Sequence, residues 1–207
     1  NFTISLIALS TIKGIGRKKI QTLINEMDNP FQSGYLSYVE KGIEINIFSR
    51  MTPISIFLEA REKAYEIMDI CDKNHISIAS SGESVFPDSL KFEGGPNLIY
   101  YQGDLNLLSK LNRVAVVGTR VPTETGRQFS YRMGQSLGKE KITVISGLAT
   151  GCDTGGHLGC LDSHGKTVAF LPSNLTDIMP RSNVNLARKI IDEEGCLVSE
   201  FSPKDIN

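Results

Sequence analysis

The sequence has no tryptophan, only 7% aromatic residues and three histidines among 207 positions, and no surplus of charge of either sign. Lys and Arg number 22 against 23 Asp and Glu, a formal net charge of −1. Bulk charge therefore neither requires nor excludes a polyanionic partner, and the question passes to local clustering. The four cysteines, Cys71, Cys152, Cys160 and Cys196, form no CxxC pair and no dense framework. That argues against zinc ribbons and disulfide scaffolds and fits a reducing cytosol. No apolar run approaches the roughly 20 residues that span a bilayer, so no membrane partner is expected. The opening Asn1-Phe-Thr lacks the basic-then-apolar order of a signal peptide, and without an initiator Met it reads as a trimmed chain.

What is present is 40% apolar composition, enough to bury a core, and 19 glycines that punctuate it. Two domains are expected, 1–75 and 76–207. In the first, apolar residues recur mostly at three and four: Phe2 to Leu9, Ile15 to Met27, and Ile54 to Met68, the last started by Pro53. That periodicity predicts a small all-helical domain of helix-hairpin-helix or SAM-like type. In the second, short apolar runs at 76–79 and 98–101 lead into an alternation of strand and helix: 113–117, helix 124–138, 142–146, helix 152–163, 167–171, helix 183–194 and 196–200. This order predicts a Rossmann-like α/β fold with a doubly wound parallel sheet.

Three of those strands run straight into glycine- or hydroxyl-bearing turns: Val114-Ala-Val-Val-Gly118-Thr119-Arg120, Val144-Ile-Ser146-Gly147-Leu-Ala-Thr-Gly151, and Thr167 to Leu171 followed by Pro172-Ser-Asn174. At the carboxyl ends of parallel strands such turns form an anion-binding floor of backbone N–H groups, so a phosphate-bearing ligand is expected. Arg120 suits that ligand because its planar fork donates two parallel hydrogen bonds; a plain strand-to-helix turn with a solvated arginine is the simpler account. The spacing is neither GxxxxGK[ST] nor GxGxxG, which removes support from nucleotide hydrolysis and nicotinamide chemistry, and no cofactor is expected. Lys166 sits just before a buried strand, hence at the opposite strand end unless that strand starts late. Asn183 and Ser182 serve equally well as helix caps. Residues 113–191 hold ten Lys/Arg against five Asp/Glu, a modest basic excess.

Asp153, His157, Cys160 and His164 fall at i, i+4, i+7 and i+11. The stripe spans three helical turns, so one ion cannot reach both ends and no metal is expected. Near the amino end, Lys13-Gly14-Ile15-Gly16-Arg17-Lys18-Lys19 carries the Gly-hydrophobic-Gly turn of a helix-hairpin-helix, in which N–H groups at a helix start receive a DNA phosphate. Gly14, Gly16 and Lys18 are thus candidate secondary DNA contacts. A helical connector with a solvated basic face accounts for the same residues.

Taken together, Val114 to Arg120, Gly126, Ser146 to Asp153, His157-Leu-Gly159, Leu161, Gly165 to Leu171, Pro180, Asn183 and Ser199-Glu200 resemble the DNA-processing protein A (DprA/Smf) family in order, spacing and chemistry. The resemblance implies a cytoplasmic, non-catalytic protein that binds single-stranded DNA, forms homodimers and loads a RecA-type recombinase during natural transformation. It implies that Gly118, Thr119, Arg120, Ser146, Gly147, Lys166 and Asn183 contact DNA phosphate, and that Gly126, Gly151, Asp153 and His157 shape the pocket. Departures are visible too: Thr150 stands where the family usually has arginine, Pro172-Ser-Asn174 replaces a Gly-rich turn, and Met179 replaces a tyrosine. The resemblance further implies that the 76–207 domain is incomplete at its C-terminal side. A different class, a nucleotide-binding or nucleotide-cleaving sensor related to phosphoribohydrolases, uses similar turns, but the Pro-Gly-Gly-x-Gly-Thr loop of those enzymes is absent.

Overall fold

In a computed structural model of the chain, which describes residues 2–205, the fold divides into two compact units, Asn1–Ile99 and Tyr100–Asn207. The division falls later than the 75/76 junction expected from composition. The first strand and the loops up to Asn97 join the helical unit through contacts such as Thr3 Oγ1 to Glu83 Oε1 (2.8 Å) and Asn97 Nδ2 to Arg17 O (2.9 Å).

The first unit contains α1 (Phe2–Thr11), α2 (Arg17–Glu26), α3 (Tyr35–Glu44), α4 (Ile54–Lys73) and β1 (Ser77–Ser80). Helix α1 is apolar nearly all round and serves as the core of the unit: Leu6, Ile7, Ala8 and Leu9 are fully buried, packed against α4, α3 and α2. Phe48 and Phe57 meet edge to face at 5.0 Å, and the buried Tyr38 hydroxyl donates to Pro30 O at 2.7 Å. Helix α3 lies outside the periodic stretches read from the sequence, since its apolar positions are mostly Tyr and Val.

Strand β2 (Leu98–Gly103) crosses the division. The second unit continues with β3 (Arg113–Ala115), α5 (Glu124–Lys139), β4 (Thr143–Ser146), α6 (Cys152–Asp162), β5 (Thr167–Leu171), α7 (Val184–Asp192) and β6 (Cys196–Ser199). The sheet order is β1-β2-β6-β5-β4-β3. Strands β3 to β6 are mutually parallel, with Val114 opposite Val144, Ile145 opposite Val168 and Phe170 opposite Val198, while β2 runs antiparallel to β6. The Rossmann-like α/β architecture expected from the strand-helix alternation is the one adopted, with every expected strand and helix of that region found within a few residues.

Helices α5 and α6 meet backbone to backbone. A Cβ on Gly159 would fall inside the Tyr131 carbonyl, and one on Gly134 inside the Gly156 carbonyl, so only glycine permits this approach. Val116 and Val144 from the sheet pack against Cys160 beneath that contact. Among the described residues, no helix is long and apolar enough to cross a membrane.

Candidate functional site

Parallel strands deliver their following turns to one end of the sheet, and the turns after β3 and β4 interlock there. Ser146 Oγ donates to Val116 O at 2.6 Å, tying the two strand ends together. The Cys152 amide donates to Thr119 O (3.1 Å) and the Thr150 hydroxyl to Arg120 O (3.3 Å). Gly151 adopts φ +83°, and a Cβ there would overlap the carbonyls of Thr119 and Arg120; a Cβ on Gly118 would come within 2.7 Å of Cys152 Sγ. Gly151 is therefore required by close backbone approach, and Gly118 makes room for the Cys152 side chain.

The outer turn is open. Gly118, Thr119 and Arg120 are exposed, and among the described residues their backbone N–H groups donate to no protein acceptor. Thr119 Oγ1 accepts from Val121 N at 3.2 Å, bending the chain so that Arg120 projects from the turn. Thr123 then caps α5, its Oγ1 accepting from Gly126 N at 3.1 Å. A Cβ on Gly126 would make only ordinary contacts at 3.4 Å, so that position is set by the cap rather than by crowding.

The inner turn is held from within. Asp153 Oδ2 accepts from Gly147 N (3.0 Å) and Ala149 N (3.3 Å). Leu148, fully buried, sits in the left-handed region at φ +58°, a conformation that costs an ordinary residue about 1 kcal/mol or more and must be held by its surroundings. Asn183 supplies part of that hold, its Nδ2 donating to Leu148 O (2.8 Å), Ala149 O (3.2 Å) and Thr154 Oγ1 (2.8 Å).

His157 is fully buried under the site. Thr167 Oγ1 donates to Val144 O at 2.8 Å, so the same oxygen must accept from His157 Nδ1 at 2.7 Å, which fixes the proton on Nδ1 and leaves buried Nε2 without a partner. Burial lowers the pKa of this imidazole to about 4. Cys160 Sγ donates to Lys166 O at 3.3 Å, and His164 occupies the left-handed turn after α6. Asp153, His157, Cys160 and His164 are thus drawn to four different surroundings.

Of the residues expected at phosphate, the structure brings Gly118, Thr119, Arg120, Ser146, Gly147 and Asn183 to one end of the sheet. Only the first three face outward with donors available; Ser146, Gly147 and Asn183 have theirs engaged in holding the turns. Lys166 is elsewhere. Because β5 starts at Thr167, Lys166 stands at the amino end of that strand, roughly 16 Å of extended chain from the site. There its Nζ donates to Glu193 O (2.9 Å) and to Glu194 (2.7 Å), whose carboxyl it holds below the usual range. In the first unit, Gly14 (φ +83°) and Gly16 form the turn between α1 and α2, with Lys18 exposed and Lys19 Nζ bonded to Gly14 O at 3.0 Å.

Sequence reasoning missed the groove between α5 and α6, a cavity of about 610 Å³ that opens beside Arg120 and is lined by Arg127, Tyr131, Arg132 and Leu158 among others. The small-residue spacing of Gly134 and Gly138 against Gly155, Gly156 and Gly159 was the signal that could have located it.

A family model for DNA recombination-mediator protein A matches residues 77–207. Protein Smf of Synechocystis sp. is 28% identical over 199 residues, covering 94% of this chain and 42% of that protein. DNA processing protein DprA of Streptococcus pneumoniae is 36% identical over 108 residues, covering 52% of this chain and 37% of that protein. The chain thus spans less than half the length of either relative. Its fold matches the X-ray structure of the Streptococcus pneumoniae protein with a TM-score of 0.75 at 24% identity, over 99% of this chain and 69% of that one. It also matches a structure giving insight into the single-stranded DNA binding mode of DNA processing protein A from Helicobacter pylori, with a TM-score of 0.54 at 28% identity, over 63% of this chain and 58% of that one. With well over half of the sequence matched by the family model, the chain belongs to the DNA recombination-mediator protein A family.

Proposed function

We propose that this protein binds single-stranded DNA through its phosphates at the carboxyl ends of β3 and β4, without turnover, and that it serves DNA uptake in the cytosol by passing the strand to a RecA-type recombinase. The observation that carries this reading is the exposed Arg120 beside three consecutive N–H groups that have no protein acceptor among the described residues. A guanidinium fork and a short run of amides are suited to one phosphodiester and indifferent to its base. The relationship to a Helicobacter pylori protein with a described single-stranded DNA binding mode supports the choice of ligand. In this reading 76–207 is the DNA-binding domain, 1–75 a helical domain offering Gly14, Gly16 and Lys18 as secondary contacts, and the working form a homodimer.

Fluorescence-anisotropy titration of labelled oligo-dT at two salt concentrations tests it. Each neutralised phosphate contributes about −0.7 to the slope of log affinity against log salt, so the slope should be clearly negative and should flatten in Arg120→Ala. A flat slope, or tight binding of mononucleotides with no oligo-dT binding, would favour the small-nucleotide sensor instead.

A further inference from the structure

We propose that the outer face of helix α4 docks on the same face of a second copy of this chain, the two helices lying antiparallel across a two-fold axis between Arg61 and Glu62. This rests on the homodimer reading above and goes further, because that reading names no surface for the contact.

Three observations carry it. First, α4 is apolar on two sides. Phe57, Ala60, Ala64, Ile67 and Cys71 are buried in the helical unit, as the inner stripe of an amphipathic helix should be. The opposite side would ordinarily be polar, yet Ile54 is 62% exposed, Leu58 43% and Tyr65 50%, with Met51 88% exposed just ahead of the helix. Ile54, Leu58 and Tyr65 recur at i, i+4 and i+11, so they form one outward stripe.

Second, two adjacent charges in that stripe have no partner of their own. Arg61 and Glu62 continue it at i+7 and i+8, and neither forms an ion pair or a hydrogen bond among the described residues. Arg61 Nε is buried without an acceptor, as is the hydroxyl of nearby Tyr35, which burial pushes up to about 12 and so keeps neutral. The guanidinium charge is thus uncompensated from within. Glu62 has Glu59 at i−3 and Glu66 at i+4, so its own helical neighbours repel it.

Third, the order of the stripe is complementary to itself. In an antiparallel pair centred between positions 61 and 62, Arg61 meets the partner's Glu62 and Leu58 meets the partner's Tyr65, and each contact occurs twice, as a two-fold interface requires. Ile54 then meets the partner's Asp69, a residue whose charge is already taken by Lys73 at 2.5 Å on its own helix. A parallel pair would set Arg61 against Arg61 and Glu62 against Glu62, so charge selects the antiparallel order. One helix from each copy buries a small area, which places the association in the micromolar range.

The test is sedimentation velocity over a series of chain concentrations, with circular dichroism to confirm that each variant is folded. The wild-type chain is expected to pass from monomer to dimer. Leu58→Glu and Tyr65→Glu, both at exposed positions, should weaken the dimer by about tenfold or more. Arg61→Glu and Glu62→Arg should each weaken it too, since each sets like charges together twice. An equimolar mixture of the Arg61→Glu chain and the Glu62→Arg chain should associate again, because every pair across the axis is then of opposite sign. A wild-type chain that stays monomeric throughout overturns both the contact and the homodimer reading. A dimer that survives unchanged in Leu58→Glu and Tyr65→Glu overturns the α4 contact and leaves the homodimer reading standing. A mixture that associates no better than its two components overturns the antiparallel order.

Discussion

The Asp153 carboxylate lies 3.0 Å from the backbone nitrogen of Gly147 and 3.3 Å from that of Ala149, so the turn after β4 already contains an anion of its own. Those amides are thereby withdrawn from any ligand, and the donors left without a protein acceptor among the described residues are those of the Gly118 to Arg120 turn, where phosphate is proposed to bind. Asp153→Ala is expected to leave two turn N–H groups without a partner, costing about 1–3 kcal/mol. It should also loosen the Thr150 and Cys152 contacts that hold Thr119 and Arg120. The measurable result is a lower urea midpoint together with weaker oligo-dT binding. Asp153→Asn, which keeps one acceptor oxygen, should fall between the two. Wild-type stability in Asp153→Ala would show that the turn is held by Asn183 alone.

The buried His157 gives the fold an acid limit. Its pKa is lowered to about 4 by burial, whereas an imidazole in the unfolded chain titrates near 6.5. Between those values the unfolded chain binds the additional proton, so stability rises with pH there. The contribution is complete above about pH 6.5 and is lost progressively as pH falls toward 4, a change of up to roughly 3 kcal/mol. Urea unfolding at several pH values should show that slope, and His157→Gln should flatten it.

Much of the second unit was legible in the sequence because its signals are local. An apolar run that ends in glycine or hydroxyl residues, followed by a helix start, is one strand-turn-helix, and three repeats of it with a closing strand specify parallel order. The role of a donor is not local. Nothing near Gly147 says that Asp153, six residues on, takes its N–H, and nothing near Asn183 says that its amide reaches back to Leu148 and Ala149. Lys166 was legible: its place just before a buried strand sets it at the opposite strand end, as β5 starting at Thr167 bears out, and it was the family resemblance alone that set it at phosphate. The antiparallel direction of β2 was invisible, since strand direction depends on where the chain returns and not on the strand's own residues.

The contact between α5 and α6 should tolerate no side chain. Gly159→Ala drives a methyl group into the Tyr131 carbonyl, and because both partners are backbone neither can turn aside. The expected cost is about 1–3 kcal/mol or more, as for other overpacked positions, read as a depressed thermal midpoint. Gly126→Ala, at a helix position with ordinary clearance, should be neutral or slightly stabilising. Equal effects of the two substitutions would contradict the packing described for the helices.

Thiol chemistry offers a probe at the site itself. Burial pushes Cys71 and Cys160 up to about 11 and Cys196 up to about 12, so these thiols are both covered and protonated at neutral pH. Cys152 is half-buried beneath Gly118. A thiol reagent applied to the native chain should modify Cys152 first, and oligo-dT bound on the turn above should slow that modification. Fast labelling of a second cysteine would mean that the core opens more readily than its packing indicates.

Position 150 tests whether the outer turn faces the strand. Thr150 stands where the resemblance to DprA/Smf proteins leads one to expect arginine, and its hydroxyl makes a long 3.3 Å bond to Arg120 O on the turn that carries the free amides. Thr150→Arg removes that weak bond and sets a second guanidinium beside Arg120. In the absence of DNA the two positive charges repel, so the substitution should leave stability unchanged or slightly lower. With DNA bound, the new cation neutralises one further phosphate. The slope of log affinity against log salt should steepen by about 0.7, and affinity at low salt should rise severalfold. An unchanged slope would mean that position 150 faces away from the strand and that Arg120 alone carries the charge of the site. A steeper slope in Thr150→Arg that collapses when Arg120→Ala is added would show that both positions serve one phosphate path across the ends of β3 and β4.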